Sequence, residues 1–412
     1  NGYIIQQEWL DSHQPTLDYA YSFAVVGDTQ WLSRYKPEKM KALYDWILAN
    51  KDAKRIAHVF GLGDITDAWN TADKENEWIR AYEYISRLDG VIPYSLIRGN
   101  HDESKYFNKY FATDAYISQF DGEFMVDGDI RNSYKLVTIG STDYLFMTLD
   151  FGASDEMLDW ANGVVLAHPN HRVIVTTHAY HGFDGGHLNY DNVMSSGNIT
   201  SASDVDTSVG NNNRGYNNGQ QIWEKFVSLH PNIFLVMSGH TPLEDVFVLE
   251  SEGVHGNTVT QMLIDPQWMD PQKDGVGMVC MLYFSEDGND VDVRYYSTVR
   301  KQYGTQSSQF SVSLSPVLDN YKVRNASLSG GVFTAEVVFG DGFAQKDVKA
   351  IVATYAQGGA LIDARISDLT IKKGTVPVNI PVDTTGCITY KFMIWEDMNS
   401  LVPIVPAKTY SK

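Results

Sequence analysis

At 412 residues the chain exceeds a typical single domain, and two or three units are expected from ~100 to 200 residues per domain. A formal net charge of -19 excludes non-specific gripping of nucleic acid or an anionic membrane surface, because phosphate is held by clustered Lys and Arg. No run of about 18 apolar residues is present, so no membrane-spanning helix is expected.

Cys280 and Cys387 lie far apart inside apolar, strand-like runs and read as buried thiols, which leaves the redox compartment open. The chain begins at Asn1 without methionine or an apolar signal core, as expected of a mature or trimmed chain, with export open.

In chain order, residues 1–20 are mixed and polar. Tyr21 to Val26 reads as a buried strand, with Asp28, Thr29 and Gln30 in the turn after it. Met40, Leu43, Tyr44, Ile47 and Leu48 recur at helical spacing over Pro37 to Asn50. Arg55 to Leu62 is the next strand, the Gly63 to Asp67 turn follows, and Lys74 to Leu88 is a helix with the stripe Trp78, Ala81, Tyr82, Ile85. Strands alternating with helices imply a mainly parallel sheet covered on both faces, with ligands outside the carboxyl ends of the strands.

The run Val91 to Ile97 leads into Gly99-Asn100-His101-Asp102. Asn132 to Ile139 and Asp143 to Leu149 form a strand pair, Glu156 to Ala167 a helix, and Val173 to Thr177 a strand ending at His178. His181 to Gly219 turns to Gly, Asn, Asp and Ser; a loop of that length directly after His178 is expected over a site. Gln220 to Leu229 is a helix, and Ile233 to Ser238 a strand leading to Gly239-His240. Val246 to Glu250, Thr258 to Ile264, Gly277 to Ser285 and Asp290 to Ser297 read as antiparallel strands completing a second sheet, which closes a first domain of residues 1–303. Residues 304–315, rich in Ser and Gln, are the expected linker. Residues 316–412 alternate apolar and polar positions between Gly- and Asp-containing turns, as in a small β-sandwich.

Five apolar runs thus end in Asp28, Asp64, Asn100, His178 and His240. Carboxylate, amide and imidazole together suit Zn, Mn, Fe or Mg, not a metal that wants thiolates. The ordered settings Gly-Asp-x-Gln, Gly-Asp-x-x-Asp, Gly-Asn-His-Asp, Thr-His and Gly-His-Thr resemble the calcineurin-like metallophosphoesterase superfamily over residues 21 to about 300. The resemblance implies an α/β fold, two sheets in a sandwich flanked by helices, and one or two divalent ions (Zn, Mn, Fe, Ni, Co or Mg).

Carried over position by position, it makes Asp64 a bridging ligand, completes one metal site with Asn100, His178 and His240, and assigns Asp28 and Gln30 to the other. His101 matches the residue that protonates the leaving oxygen or stabilises the transition state, Asp67 the carboxylate that orients it, and Arg98 a phosphate-gripping arginine; for Arg98, pairing with a neighbouring carboxylate is the competing reading. The implied reaction is hydrolysis by metal-activated water of a phosphomonoester or phosphodiester, small or glycan- or lipid-linked. Two departures concern the second ion: Gln30 stands where histidine is usual, and Pro242 where the last imidazole ligand is expected. The competing function is a catalytically weak surface or binding protein.

Elsewhere, Asp150 is a candidate to support the site, and Trp31, Trp69, Tyr180 and Tyr216 are candidates to line a pocket, with packing as the competing reading; most of His58, His168, His171, His181, His187 and His255 are expected on loops or the surface, with His181 and His187 near enough to the site in sequence to touch substrate. Residues 316–412 resemble immunoglobulin- or fibronectin-like modules of secreted clostridial surface proteins, which implies an extracellular or cell-surface bacterial protein.

Overall fold

In a computed structural model, residues 18–67, 74–119, 121–140, 142–189, 216–269, 276–314, 321–339, 345–398 and 403–412 are described. The chain divides into two compact units, residues 1–165 with 171–315 and residues 316–412 with 166–170.

The first unit begins with β1 (Tyr21–Val26), α1 (Gln30–Tyr35), α2 (Pro37–Ala49), β2 (Ile56–Gly61), α3 (Lys74–Ile85), β3 (Tyr94–Leu96), α4 (Ser104–Phe111) and α5 (Asp114–Ile117). It continues with β4 (Phe124–Val126), β5 (Asp129–Ile139), β6 (Thr142–Thr148), α6 (Asp155–Ala167), β7 (Arg172–Thr176), α7 (Gly219–Lys225) and β8 (Ile233–Ser238). The last strands are β9 (Phe247–Glu252), β10 (Thr258–Leu263), β11 (Met278–Phe284), β12 (Asp290–Ser297), β13 (Gln302–Tyr303) and β14 (Gln309–Ser313).

Two mixed sheets result. One has the order β13-β12-β11-β1-β2-β3 with β14 paired to β12; the other has the order β4-β5-β6-β7-β8-β10-β9. Every residue of β1 is buried because the strand is covered on both faces. Phe23 and Val25 pack with Phe60, Phe146, Ile174, Phe234 and Leu282 between the sheets, whereas Ala24 and Val26 face Met40, Leu43, Trp78 and Phe107. On the far face of the second sheet, Leu145 and Val175 meet Leu158 and Ile222 from α6 and α7. The layers are therefore helix, sheet, sheet, helix. Pro37 opens α2 where its missing N–H costs nothing, and Asn218 with Gln221 forms a capping box on α7.

Strands β1, β2 and β3 are mutually parallel, as are β7, β8 and β10, so their carboxyl ends open onto shared edges. Here the expected antiparallel second sheet is corrected. β10 runs parallel to β8, with Thr260 beside Leu235, while β11 and β12 join the first sheet alongside β1. The linker expectation for residues 304–315 is also corrected, because Gln309–Ser313 pairs antiparallel with Asp290–Arg294. Phe310 and Val312 supply a two-residue alternation that the surrounding Ser and Gln hide, and both pack on the intersheet core.

The second unit consists of β15 (Lys322–Ser329), β16 (Val332–Phe339), β17 (Lys346–Tyr355), β18 (Leu361–Ile371), β19 (Gly374–Pro381), β20 (Thr389–Trp395) and β21 (Pro403–Ser411). They form a three-stranded sheet, β15-β16-β19, and a four-stranded one, β18-β17-β20-β21. Both contribute to one core containing Phe333, Val337, Val352, Phe392 and Ile394. Gly330 and Gly331, at φ of 59° and 79°, make the β15–β16 hairpin turn that positive φ at both positions requires. These all-β sheets are consistent with an immunoglobulin-like module. Cys280 and Cys387 are buried free thiols.

Candidate metal centre

Each parallel strand ends just short of a polar residue: β1 before Asp28, β2 before Asp64, β3 before Asn100, β7 before His178 and β8 before His240. Asp64, His178 and His240 present ligand atoms within 4.8 Å of one another. Asn100 joins them, with Oδ1 3.2 Å from His178 Nε2 and 2.8 Å from His240 Nδ1. His178 Nδ1–H donates to the Leu62 carbonyl (2.7 Å), which leaves Nε2 with a lone pair turned toward Asp64 Oδ1 at 3.3 Å. Carboxylate, amide and imidazole acceptors thus face one another, an arrangement that a divalent cation resolves.

Two backbone features hold this geometry. Asp64 and His240 both adopt left-handed conformations, φ 44° and 73°, uncommon for residues other than glycine and typical of functional sites. Gly99 and Gly239 permit the close approach: a Cβ on Gly99 would collide with Asp64 Oδ1, and one on Gly239 with Asp28 Oδ1. Asp28 also accepts the His240 N–H at 3.2 Å.

Protonation fits ligation at Asp64 and His240, whereas His178 and Asp28 hold their protons more tightly in the metal-free site. Burial opposes ionisation of Asp64, but the His178 and His101 charges beside it outweigh burial and hold the carboxyl well below its usual range. Burial, then His178, pushes His240 down to about 3, so its ring is neutral at pH 7. Burial disfavours a charged His178, yet Asp64 more than compensates and raises its pKa. Asp28 is raised well above a normal carboxylate by burial and by Asp265 and Asp64. Gln30 is 1% exposed at the start of α1, and its buried Oε1 has no hydrogen-bond partner among the described residues.

His101 stands at the rim with its side chain 28% exposed, its backbone N–H donating to Asp64 Oδ1 at 2.9 Å. Its Nδ1 lies 3.5 Å from Asp67 Oδ1 and 3.4 Å from the Asp67 carbonyl, while Asp67 also pairs with Arg34. Nε2 is the ring nitrogen turned away from Asp67.

Arg98 departs from the expected phosphate contact. It is 2% exposed and gives Nε and Nη2 to Asp150 at 2.8 and 3.1 Å and Nη1 to the Asp102 carbonyl at 3.2 Å. The competing carboxylate-pairing reading is the one the geometry shows, and Asp150 thereby supports the Asn100–Asp102 turn. The sequence assigned no role to Asp102, yet its carboxylate accepts from Ile65 N, Thr66 N and Gly99 N, each at 3.0 Å, and from Thr66 Oγ1 at 3.1 Å. It fastens the Asp64 turn to the Asn100 turn.

Of the remaining histidines, His58 and His181 are fully buried and correct the surface expectation. His58 bonds Ser95 Oγ at 2.9 Å between Phe60 and Phe146, and His181 bonds Ser238 Oγ at 2.9 Å. His187 and the buried Tyr180 both reach Gln261 Oε1 at 2.7 Å, which makes them packing groups. The aromatic beside the candidate ligands is Phe151, its ring 5.8 Å from those of His178 and His240. Tyr216 bridges to Ser154; Trp69 and residues 190–215 of the expected loop lie outside the described residues.

A buried constellation of carboxylate, amide and imidazole at the carboxyl ends of parallel strands in two apposed sheets defines a metallohydrolase type of centre. The chain belongs to the calcineurin-like phosphoesterase family, whose sequence profile matches residues 21–244. It is 28% identical over 342 residues to the uncharacterised protein YvnB of Bacillus subtilis (strain 168), covering 77% of this chain and 23% of that protein. The chain therefore spans less than a quarter of the length of that curated relative. Among solved structures it is similar to a dimetal phosphatase from Danio rerio (13% identity, TM-score 0.46, 72% of this chain and 100% of that one). It is also similar to GAP50, the anchor in the inner membrane complex of Plasmodium (14% identity, TM-score 0.43, 71% and 88%).

Proposed function

We propose that the first unit hydrolyses a phosphomonoester or phosphodiester, with Asp64, Asn100, His178 and His240 holding a divalent ion and His101 serving as general acid. The observation that carries this reading is the convergence of those four donors beside a rim histidine whose Nδ1 faces Asp67 and whose Nε2 has no hydrogen-bond partner among the described residues. A bound divalent ion supplies there a water of lowered pKa and charge neutralisation at a phosphoryl group.

The chain's own residues supply the rest. Asp64 fixes the His101 backbone and Asp67 engages Nδ1, so Nε2 is left to carry a proton to a departing alkoxide. Arg98, held by Asp150, supports the Asn100–Asp102 turn from below and leaves substrate contact to rim groups. An extracellular or cell-surface place of action belongs to the same proposal; the resemblance of the C-terminal unit to secreted surface modules supports it.

Metal-reloaded protein assayed on p-nitrophenyl phosphate and bis-p-nitrophenyl phosphate tests the reaction class and separates monoesterase from diesterase. Stoichiometric metal without turnover of either would favour the weak binding protein.

A further inference from the structure

The second half of the centre lacks two imidazoles, at Gln30 and Pro242. The structure shows which residue the chain just after Pro242 is tied to. Strand β10 lies next to β8 and parallel to it, so its carboxyl end delivers Asp265 to the edge where β8 delivers His240. The Leu243 N–H donates to the Asp265 carbonyl at 3.0 Å, tying the residue after Pro242 to Asp265 itself. From the first sheet, the Gly27 backbone comes so close to Ile264 that a Cβ there would collide with the Ile264 carbonyl. The residues following that contact are Asp28 and Asp265, whose carboxyl groups come within hydrogen-bonding range of each other.

Imidazoles, His178 first, are the positive groups that reach this meeting. Asp28, Asp64 and Asp265 are 5%, 3% and 0% exposed, and among the described residues no lysine or arginine pairs with any of them. Three buried carboxyl groups this close can all ionise only with a cation between them, since burying like charges without one is costly. A separate observation points the same way. Asp265 Oδ1 accepts the Gln267 N–H at 2.9 Å; among the described residues its buried Oδ2 takes no hydrogen bond from any group other than the Asp28 carboxyl, and the buried Oε1 of Gln30, two residues beyond Asp28, takes none.

Building on the metal-centre reading above, we infer that Asp265 is a ligand of a second divalent ion, together with Asp28, Gln30 and Asp64, in place of the imidazole that Pro242 cannot supply. The two positions then differ in chemistry. Donors at this one are all oxygen and favour a hard ion such as Mn²⁺ or Mg²⁺, whereas the position containing His178 and His240 suits a borderline metal.

The test is Mn²⁺ binding to the chelator-stripped full chain, followed by calorimetry and by the loss of the free Mn²⁺ electron paramagnetic resonance signal. Wild type should take up two ions. Asp265→Asn should keep one and bind the other at least about 100-fold more weakly, since losing even an outer partner of a ligand costs about 10- to 100-fold. Because asparagine can donate to Asp28, the metal-free variant should fold and melt no lower than wild type. A variant that does not fold would overturn the inference by showing that the fold, not an ion, needs Asp265. One ion on wild type, or two on Asp265→Asn at unchanged affinity, would overturn it while leaving the phosphoesterase reading intact; no ion on wild type would overturn both.

Discussion

Asp102→Asn isolates the fastening of the two central turns. At pH 8 the Asp102 carboxyl, pushed up to about 6 by burial and by Asp64, is ionised and can accept all four of its hydrogen bonds. Asparagine keeps one oxygen, so either Ile65 N and Gly99 N, or the Thr66 N and Oγ1 pair, must face an amide donor. The second orientation costs less because the Thr66 hydroxyl can accept from the amide, so one buried N–H left unsatisfied gives a loss of about 1–3 kcal/mol, reduced somewhat by relief of repulsion with Asp64. Urea unfolding of the metal-free protein, followed by fluorescence of the first unit, measures this loss. Metal affinity should fall as well, because Asp64 and Asn100 would no longer share one brace. A stability change below about 1 kcal/mol with unchanged metal affinity would refute the bracing argument.

Other perturbations separate ligation from catalysis and from packing. His101→Asn should retain metal, because the contact to Asp64 comes from the backbone N–H, and should lower turnover by about 10²- to 10⁴-fold for alkyl phosphates with a smaller loss for nitrophenyl esters; loss of metal, or equal slowing of both ester types, would contradict the role. Asp67→Asn should give a milder version of the same leaving-group trend, read from the same ester series. Gly99→Ala should abolish metal uptake in elemental analysis, since the added methyl collides with Asp64. Lys135, 1% exposed in β5, is brought by burial from 10.5 down to about 7, so the unfolded chain binds its proton more tightly. Stability should therefore rise between pH 7 and 10 by about 1.4 kcal/mol per pH unit for that one proton, a slope that Lys135→Met should remove in urea titrations.

The candidate ligands were legible because parallel strands buried on both faces read as uninterrupted apolar runs, and the polar residue after such a run marks its carboxyl end. Strand direction was not legible. Thr258 to Ile264 ends in Asp265 just as Ile233 to Ser238 leads to His240, yet only the parallel pairing of β10 with β8 puts both on one edge. Arg98 was ambiguous for a similar reason: its carboxylate partner lies 52 residues away and depends on the tertiary fold. The six-residue helix α1 carries too few apolar positions to show a period, and Phe310 and Val312 alternate inside a Ser- and Gln-rich stretch that resembles a linker. His58 looks like any isolated histidine until Ser95 on the neighbouring strand supplies its hydrogen bond.

Phosphoester hydrolysis by chelator-stripped protein during stepwise return of Mn²⁺ tests the central claim most directly. The account predicts negligible p-nitrophenol release from the stripped protein and a saturable recovery as Mn²⁺ is added, with His240→Ala failing to recover. Activity that survives complete stripping, or no recovery at any Mn²⁺ concentration in folded wild-type protein, would contradict it.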